Sequence, residues 1–389
     1  MAAFQNPFKP TLGKTPPELL GRQSVVDSFA VGLDNGAGAP GRVMLLSGQR
    51  GYGKTVMLTE LMGQAKARGW QVYLESAADG LCDRLAAQVA GDRPRLTSVD
   101  IAPSLSVGGA LSASVGSASA EVSPARSRTL REALSALLAS RRVKPGAGVL
   151  VCVDETQSAS QGDLRELAVT YQQLVQEQDL TGLPDDRQKG VAVVMAGLPQ
   201  TVDALVTADL TSFLARAQHH VLGEVPVDEV ALSYVETVGA CGMAVAPEVA
   251  LEAARATFGY PYLIQLMGFH MVQAARTRGS DTVGAADVEA ALPLAKAGFG
   301  DAVLALLWRP LPAPDRRFLM AMAEDGDRGS SVVEIAERCG KGRSWGQKRR
   351  RSLVDAGLIA SEDRGRVAFC TPYMADWISS VPESRLLSI

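Results

Sequence analysis

Apolar residues gather in three short runs, 43–47, 148–153 and 191–196, each closed by glycine or polar residues. Runs of that length, rich in Val, Leu and Met, predict strands, the latter two buried on both faces as in a parallel sheet. Residues 71–75 and 219–222 predict two more strands. Between them the apolar positions recur three and four apart, which predicts helices. One follows Gly21-Arg22, with Val25, Val26, Phe29 and Leu33 on its apolar side. Others begin at Thr55 and cover 81–89, 129–141 and 164–178. From Val227 the pattern is helical throughout, over 227–239, 247–257, 261–277 and 284–308. Residues 1–17 read as an extended arm, Asn35 to Gly41 as a loop, and Asp179 to Lys189 as a polar loop.

Two stretches need separate treatment. Residues 91–128 are rich in Ser, Gly and Ala. Leu105, Val107, Leu111, Ala113 and Val115 alternate around Gly108-Gly109, so both a β-hairpin insertion and a flexible linker fit. Beyond Pro310, Pro312 and Pro314 the chain predicts helices at 315–323, 332–339 and 344–356, the last stopped by Gly357. Two alternating strands follow, 358–360 and 366–369. Three helices and a two-stranded wing make a winged helix-turn-helix. The expected organisation is a core at 1–225, a helical lid at 226–310 and this module at 311–389.

Composition narrows the classes. The chain has 389 residues, 47% of them hydrophobic, which allows two or three packed domains. Net charge is −3, so nucleic-acid binding would need a local patch. Five scattered cysteines without C-x-x-C spacing argue against zinc ribbons and a disulfide framework, and three histidines against a His-rich metal site. With no secretory h-region and no membrane span expected, a cytoplasmic protein is the reading.

The chemistry centres on Gly48-Gln49-Arg50-Gly51-Tyr52-Gly53-Lys54-Thr55, which fits G-x-x-x-x-G-K-[ST] between a strand and a helix. Its glycines turn backbone N–H groups toward phosphate oxygens, and the helix start at Val56 adds a favourable dipole. Lys54 would reach the β- and γ-phosphates of ATP, and the Thr55 hydroxyl would hold Mg²⁺. A chance glycine turn is the bland alternative. The run 148–153 ends in Asp154-Glu155, at the carboxyl end of a strand where ligands of parallel sheets sit. Asp154 would hold Mg²⁺ through water and Glu155 would activate the attacking water. An acidic helix cap is the alternative there. Residues 341–351 carry six Lys/Arg (Lys341, Arg343, Lys348, Arg349, Arg350, Arg351) and no acid. Trp345, Leu353 and Val354 are expected inside. Arg343, Gln347, Lys348, Arg350 and Arg351 are expected to face out, with Arg364 in the wing. Such a helix suits phosphates beside a major groove of duplex DNA. A protein-packing module with a solvated charged face suits the same pattern.

These pieces in this order resemble the AAA ATPases of the initiator-like clade, which covers origin-recognition-like proteins, archaeal and bacterial ATPases with a C-terminal winged helix, and STAND-type regulators. Leu20-Gly21-Arg22 looks like the N-terminal box near the adenine, which implies Gly21 and Arg22 in nucleotide binding. Asp154-Glu155-Thr156-Gln157 resembles the family's D-E-x-Q, and Gly259-Tyr260-Pro261 its lid motif G-x-P, which implies Pro261 near the nucleotide. The resemblance implies an α/β P-loop core with a five-stranded parallel sheet, a helical lid and a winged helix. Two departures imply slow hydrolysis. The third run ends in Ala196-Gly197 where many members have Asn, Ser or Thr, with Gln200 or Thr201 as substitutes. The lid lacks the motif arginine, and Arg255 lies off it. Arg216 is where an arginine finger from a neighbouring copy would lie, which implies a homo-oligomer; an ordinary surface arginine fits that position too. The leading expectation is an ATP-dependent, DNA-contacting switch. The alternatives are a STAND-like signalling ATPase whose winged helix packs on the core, and a nucleotide-binding scaffold that does not hydrolyse.

Overall fold

In the computed structural model the described residues are 4–11, 19–36, 39–91, 128–184, 187–207 and 214–388. The expected hairpin or linker at 91–128 lies almost wholly outside them.

The core is a five-stranded parallel sheet in the order β2-β3-β4-β1-β5, with β1 Val43–Ser47, β2 Gln71–Ser76, β3 Gly148–Asp154, β4 Gly190–Gly197 and β5 Gln218–Val221. Every residue of β3 and β4 is buried, as uninterrupted apolar runs require when helices cover both faces. Those helices are α1 Gln23–Asp34, α2 Lys54–Ala67, α3 Leu81–Ala90, α4 Leu130–Ala139, α5 Gln161–Asp179 and α6 Pro199–Thr207. The two sheet faces carry separate cores. Leu46, Met57, Leu58, Leu150 and Val194 meet on one side. Leu85, Leu134, Val151, Leu167 and Val193 meet on the other.

The region expected to be a lid holds α7 Val227–Ala240, α8 Pro247–Arg255, α9 Pro261–Thr277 and α10 Ala285–Phe299, with β6 Ala244–Val245 paired to β7 Thr282–Val283. Helix α10 runs on through a π-helical turn, Gly300–Leu304, into α11 Ala305–Trp308. By length and apolarity alone the stretch Ala285–Trp308 could cross a membrane. Here its Ala291, Ala295, Phe299, Val303 and Trp308 are buried among the lid and C-terminal helices.

The arm read at 1–17 is no solvated strand where it is described. Phe8 is 2% exposed and meets Tyr234 edge-on at 5.7 Å. Its ring lies flush on Gly268, where a Cβ would sit 2.4 Å away. Asn6 Nδ2 donates to the Phe269 carbonyl at 2.9 Å, which ties the arm to α9.

The C-terminal part holds α12 Ala313–Ala323, β8 Ser330–Ser331, α13 Val332–Arg338, α14 Arg343–Asp355, β9 Ile359–Ser361, β10 Arg366–Phe369, α15 Met374–Ser380 and α16 Glu383–Ser388. Strands β8, β10 and β9 form one antiparallel sheet, so a third short strand joins the expected pair. This part and the lid share one apolar cluster, in which Phe299, Trp308, Phe318 and Leu353 are all fully buried.

Candidate functional site

Strand β1 delivers residues 48–53 to the start of α2. Gly51 and Gly53 both take left-handed backbone (φ 80° and 82°), which lets the loop fold tightly back on itself. Val56 lies in the first turn of α2 and Gly48 is anchored by its N–H to the Gly197 carbonyl at 3.3 Å. Lys54 is 5% exposed, and its Nζ donates to the carbonyls of Gly48 (2.9 Å) and Gln49 (3.1 Å). Burial lowers its pKa, while Glu155 and Asp154 oppose that shift. The loop's own carbonyls thus satisfy a cation that a phosphate would satisfy better.

Asp154 ends β3 beside this lysine. The Thr55 hydroxyl donates to Asp154 Oδ2 at 2.6 Å. Burial raises the Asp154 pKa, and the Thr55 hydrogen bond opposes it. Two hard oxygen donors in contact, next to a phosphate loop, fit Mg²⁺. Among the described residues no group of three His, Cys, Asp or Glu could hold a metal alone, so phosphate and water oxygens would complete the set.

Glu155 adopts φ 56°, an uncommon backbone for a residue with a Cβ. Its N–H donates to Asp154 Oδ1 at 2.9 Å. Its Oε2 accepts from Gln157 Nε2. Gln157 Oε1 in turn accepts the Leu198 N–H at 3.3 Å. D-E-T-Q therefore connects the carboxylate to the end of β4.

The lid closes over the loop from above. Gly259 (φ 66°) approaches Val225 so closely that a Cβ would lie 2.1 Å from its carbonyl oxygen. The Val225 N–H donates to the Gly259 carbonyl at 2.8 Å, which seals this joint. Tyr260 is 1% exposed, its ring centroid is 4.8 Å from that of Tyr52, and its hydroxyl donates to the Arg50 carbonyl. Pro261 opens α9 in the first helical position. Gly21 is left-handed (φ 63°), and Arg22 is buried, donating to the carbonyls of Gly21 and Gly223. Arg22 thus ties the start of α1 to the segment after β5. Arg255 is exposed at the end of α8. Arg216 is exposed in the single turn Leu214–Arg216 before β5.

On α14 the charged residues part company. Lys341, Arg343, Gln347, Lys348 and Arg351 are exposed. Arg349 pairs with the buried Asp315 at 3.0 Å. Arg350, expected to face out, instead turns along the surface, donating to Ser361 Oγ at 2.8 Å because β9 returns beside the helix. Arg364 belongs to the tight turn Asp363–Gly365 between β9 and β10. Trp345 is half-buried, 6.1 Å from Phe318, Val354 is half-buried, and Leu353 is fully buried.

The far end of α14 is seated on the elements around the parallel sheet. Gln200, in the first turn of α6, donates to the Val354 carbonyl at 3.2 Å. Gly357 is left-handed (φ 67°), and a Cβ there would fall 2.5 Å from Gln49 Oε1. Nearby, Phe258 and Tyr373 are both left-handed (φ 51° and 60°), with ring centroids 5.3 Å apart. The Tyr373 hydroxyl donates to the Ala256 carbonyl at 2.6 Å.

Gln157 stood in the quoted motif without a role, and Tyr260 in the lid motif likewise. The Gln200–Val354 bond joins residues 154 apart and has no local sequence signal.

Residues 18–183 match the AAA ATPase domain family, and residues 301–378 match a domain of unknown function, DUF8462. No match was found among curated proteins. The Walker-type ATPase of Pyrococcus abyssi aligns over 95% of this chain and 100% of its own at 14% identity, with a TM-score of 0.62. The Aeropyrum pernix ORC2 protein, solved as ADPNP-ADP complexes, aligns over 97% and 95% at 14% identity, with a TM-score of 0.59. At that identity the likeness is one of fold. Residues 18–183 thus match an AAA ATPase domain, within a chain that shares the overall fold of these two solved proteins.

Proposed function

We propose that this protein is a slow, Mg²⁺-dependent ATPase of the cytoplasm that works as a nucleotide-controlled switch on duplex DNA. Lys54 binds the β- and γ-phosphates, Thr55 and Asp154 would hold the metal, and Glu155 takes the proton of the attacking water. Magnesium, when bound, offsets phosphate charge. Residues 1–225 act as core, 226–310 as lid, and 311–389 as a winged helix-turn-helix. The observation that carries the DNA reading is the exposed set Lys341, Arg343, Lys348 and Arg351 in α14 and just before it. Clustered cations with no acid among them favour a polyanionic partner.

Fluorescence anisotropy of the full chain with a labelled duplex, at several salt concentrations, tests this. Binding should weaken with salt, with a log–log slope of roughly −3 to −4 for four phosphate contacts. Arg351→Ala should flatten the slope by about one unit and leave ATP affinity unchanged. Absence of salt-dependent duplex binding overturns the reading.

A second reading has its own support in the seat of α14 on Gln200 and Gln49. There the module acts on the core as in STAND-like ATPases and touches no DNA. Changed ADP release by Arg351→Ala, without duplex binding, would favour it.

Arg216 is the candidate finger for a neighbouring subunit of a homo-oligomer. Arg216→Ala should lower turnover only at protein concentrations where the chain self-associates. An equal loss, or none, at every concentration returns it to an ordinary surface arginine.

A further inference from the structure

Gln157, Leu198, Pro199 and Gln200 form a short bridge between Glu155 and the C-terminal module. Glu155 Oε2 accepts from Gln157 Nε2. Gln157 Oε1 accepts from the Leu198 N–H, so neither end of this carboxamide is idle. Thr156, beside it, is fully buried, and its Oγ1 lies 2.0 Å from where a Cβ of Gly197 would stand. The turn bearing Gln157 is therefore pressed against the end of β4 without slack. Two residues after Leu198, Gln200 donates to the Val354 carbonyl at the end of α14. The Gln200 Oε1 is buried and has no hydrogen-bond partner among the described residues. Its side chain is held to α14 by one bond only, with half of its amide unsatisfied. Such a tie breaks more readily than a fully satisfied one.

We propose that Gln157 is a positioning residue that restrains the Glu155 carboxylate, and that the seating of α14 on Gln200 sets the restraint. The proposal rests on the reading of Glu155 as the group that takes a proton from water. An oxygen that accepts the Gln157 N–H does not offer that lone pair to a nucleophilic water. The Leu198 N–H holds the carboxamide in the orientation that faces Glu155, and Leu198 is joined through Pro199 to Gln200. Lifting α14 frees Gln200, relaxes the start of α6, and releases the carboxylate. Coupling of this kind is reciprocal, so events at Glu155 must also be felt at α14.

Turnover of Mg·ATP by the full chain should rise about three- to tenfold in both Gln157→Ala and Gln200→Ala, the scale of one net hydrogen bond, with KM nearly unchanged. Gln157→Glu, which keeps the size and replaces the donor with a second carboxylate, should match Gln157→Ala or exceed it. The double variant Q157A/Q200A should be no faster than Q157A, because both changes cut one bridge. Effects that multiply, or a Q157A variant slower than wild type, overturn the proposal. Adding Glu155→Gln should abolish turnover in every background. If it does not, the reading of Glu155 fails, and the bridge is judged by amide exchange across residues 343–355. Mg·ADPNP should then alter that exchange in wild type and leave Q157A unaltered. The same exchange change in both proteins would sink the bridge as well.

Discussion

The Tyr260 hydroxyl donates to the Arg50 carbonyl, so the lid grips the phosphate loop by one of the loop's own backbone oxygens. The Tyr260 ring also meets Phe299 of α10 edge-on, with centroids 4.9 Å apart, which makes it a rigid strut and not a loose cover. Tyr260→Phe keeps the ring and removes the bond. It should cost about 1 kcal/mol of stability, read as a lower urea midpoint at unchanged slope. It should also weaken Mg·ATP binding in calorimetry, because the loop loses the contact that orders Arg50. Unchanged affinity would mean that the loop is ordered without the lid.

Lys54→Ala removes a buried cation and leaves two carbonyls, of Gly48 and Gln49, without their donor. Loss of a charge-assisted contact of roughly 1.5–3 kcal/mol predicts ATP binding weaker by about 10- to 150-fold. Calorimetry with Mg·ATP checks it. Retention of full affinity would contradict the assignment of the loop.

Asp154 gives a pH signature. Burial raises its pKa above the ordinary 3.8, so over that window the folded state holds a proton that the unfolded state has lost. Its contribution is therefore complete below the ordinary value and is lost as pH climbs through the raised one. Asp154→Asn removes the buried charge. The nucleotide-free variant should melt higher than wild type at neutral pH, while its turnover needs more magnesium. Thermal melts from acid to neutral pH and a magnesium titration read out both. A lower melting temperature at neutral pH would show that Asp154 is stabilised by its neighbours after all.

Where the determinants are local, the sequence predicts the structure closely. The phosphate loop, the carboxylates after β3 and the span of α9 follow from glycine spacing, apolar runs and a proline in the first helical turn. What escaped depends on partners far along the chain. Arg350 lies along the surface toward Ser361 because β9 comes back beside α14, and helical periodicity carries no record of that return. Gln200 resembled a substitute phosphate sensor by position alone, yet it serves α14, a helix more than a hundred residues onward. Phe8 looked like part of a polar arm because its seat is a bare backbone surface on α9 that only Gly268 provides.

That seat has a consequence for synthesis. Asn6 and its Phe269 partner are separated by 263 residues, so the place where Phe8 docks does not exist while most of the chain is being made. At roughly 5–20 residues per second, translation leaves this segment undocked for about 13 to 53 s. Phe4 and Phe8 are thus displayed on the nascent chain long after the phosphate loop has emerged. The docking of α9 is the event that takes them away.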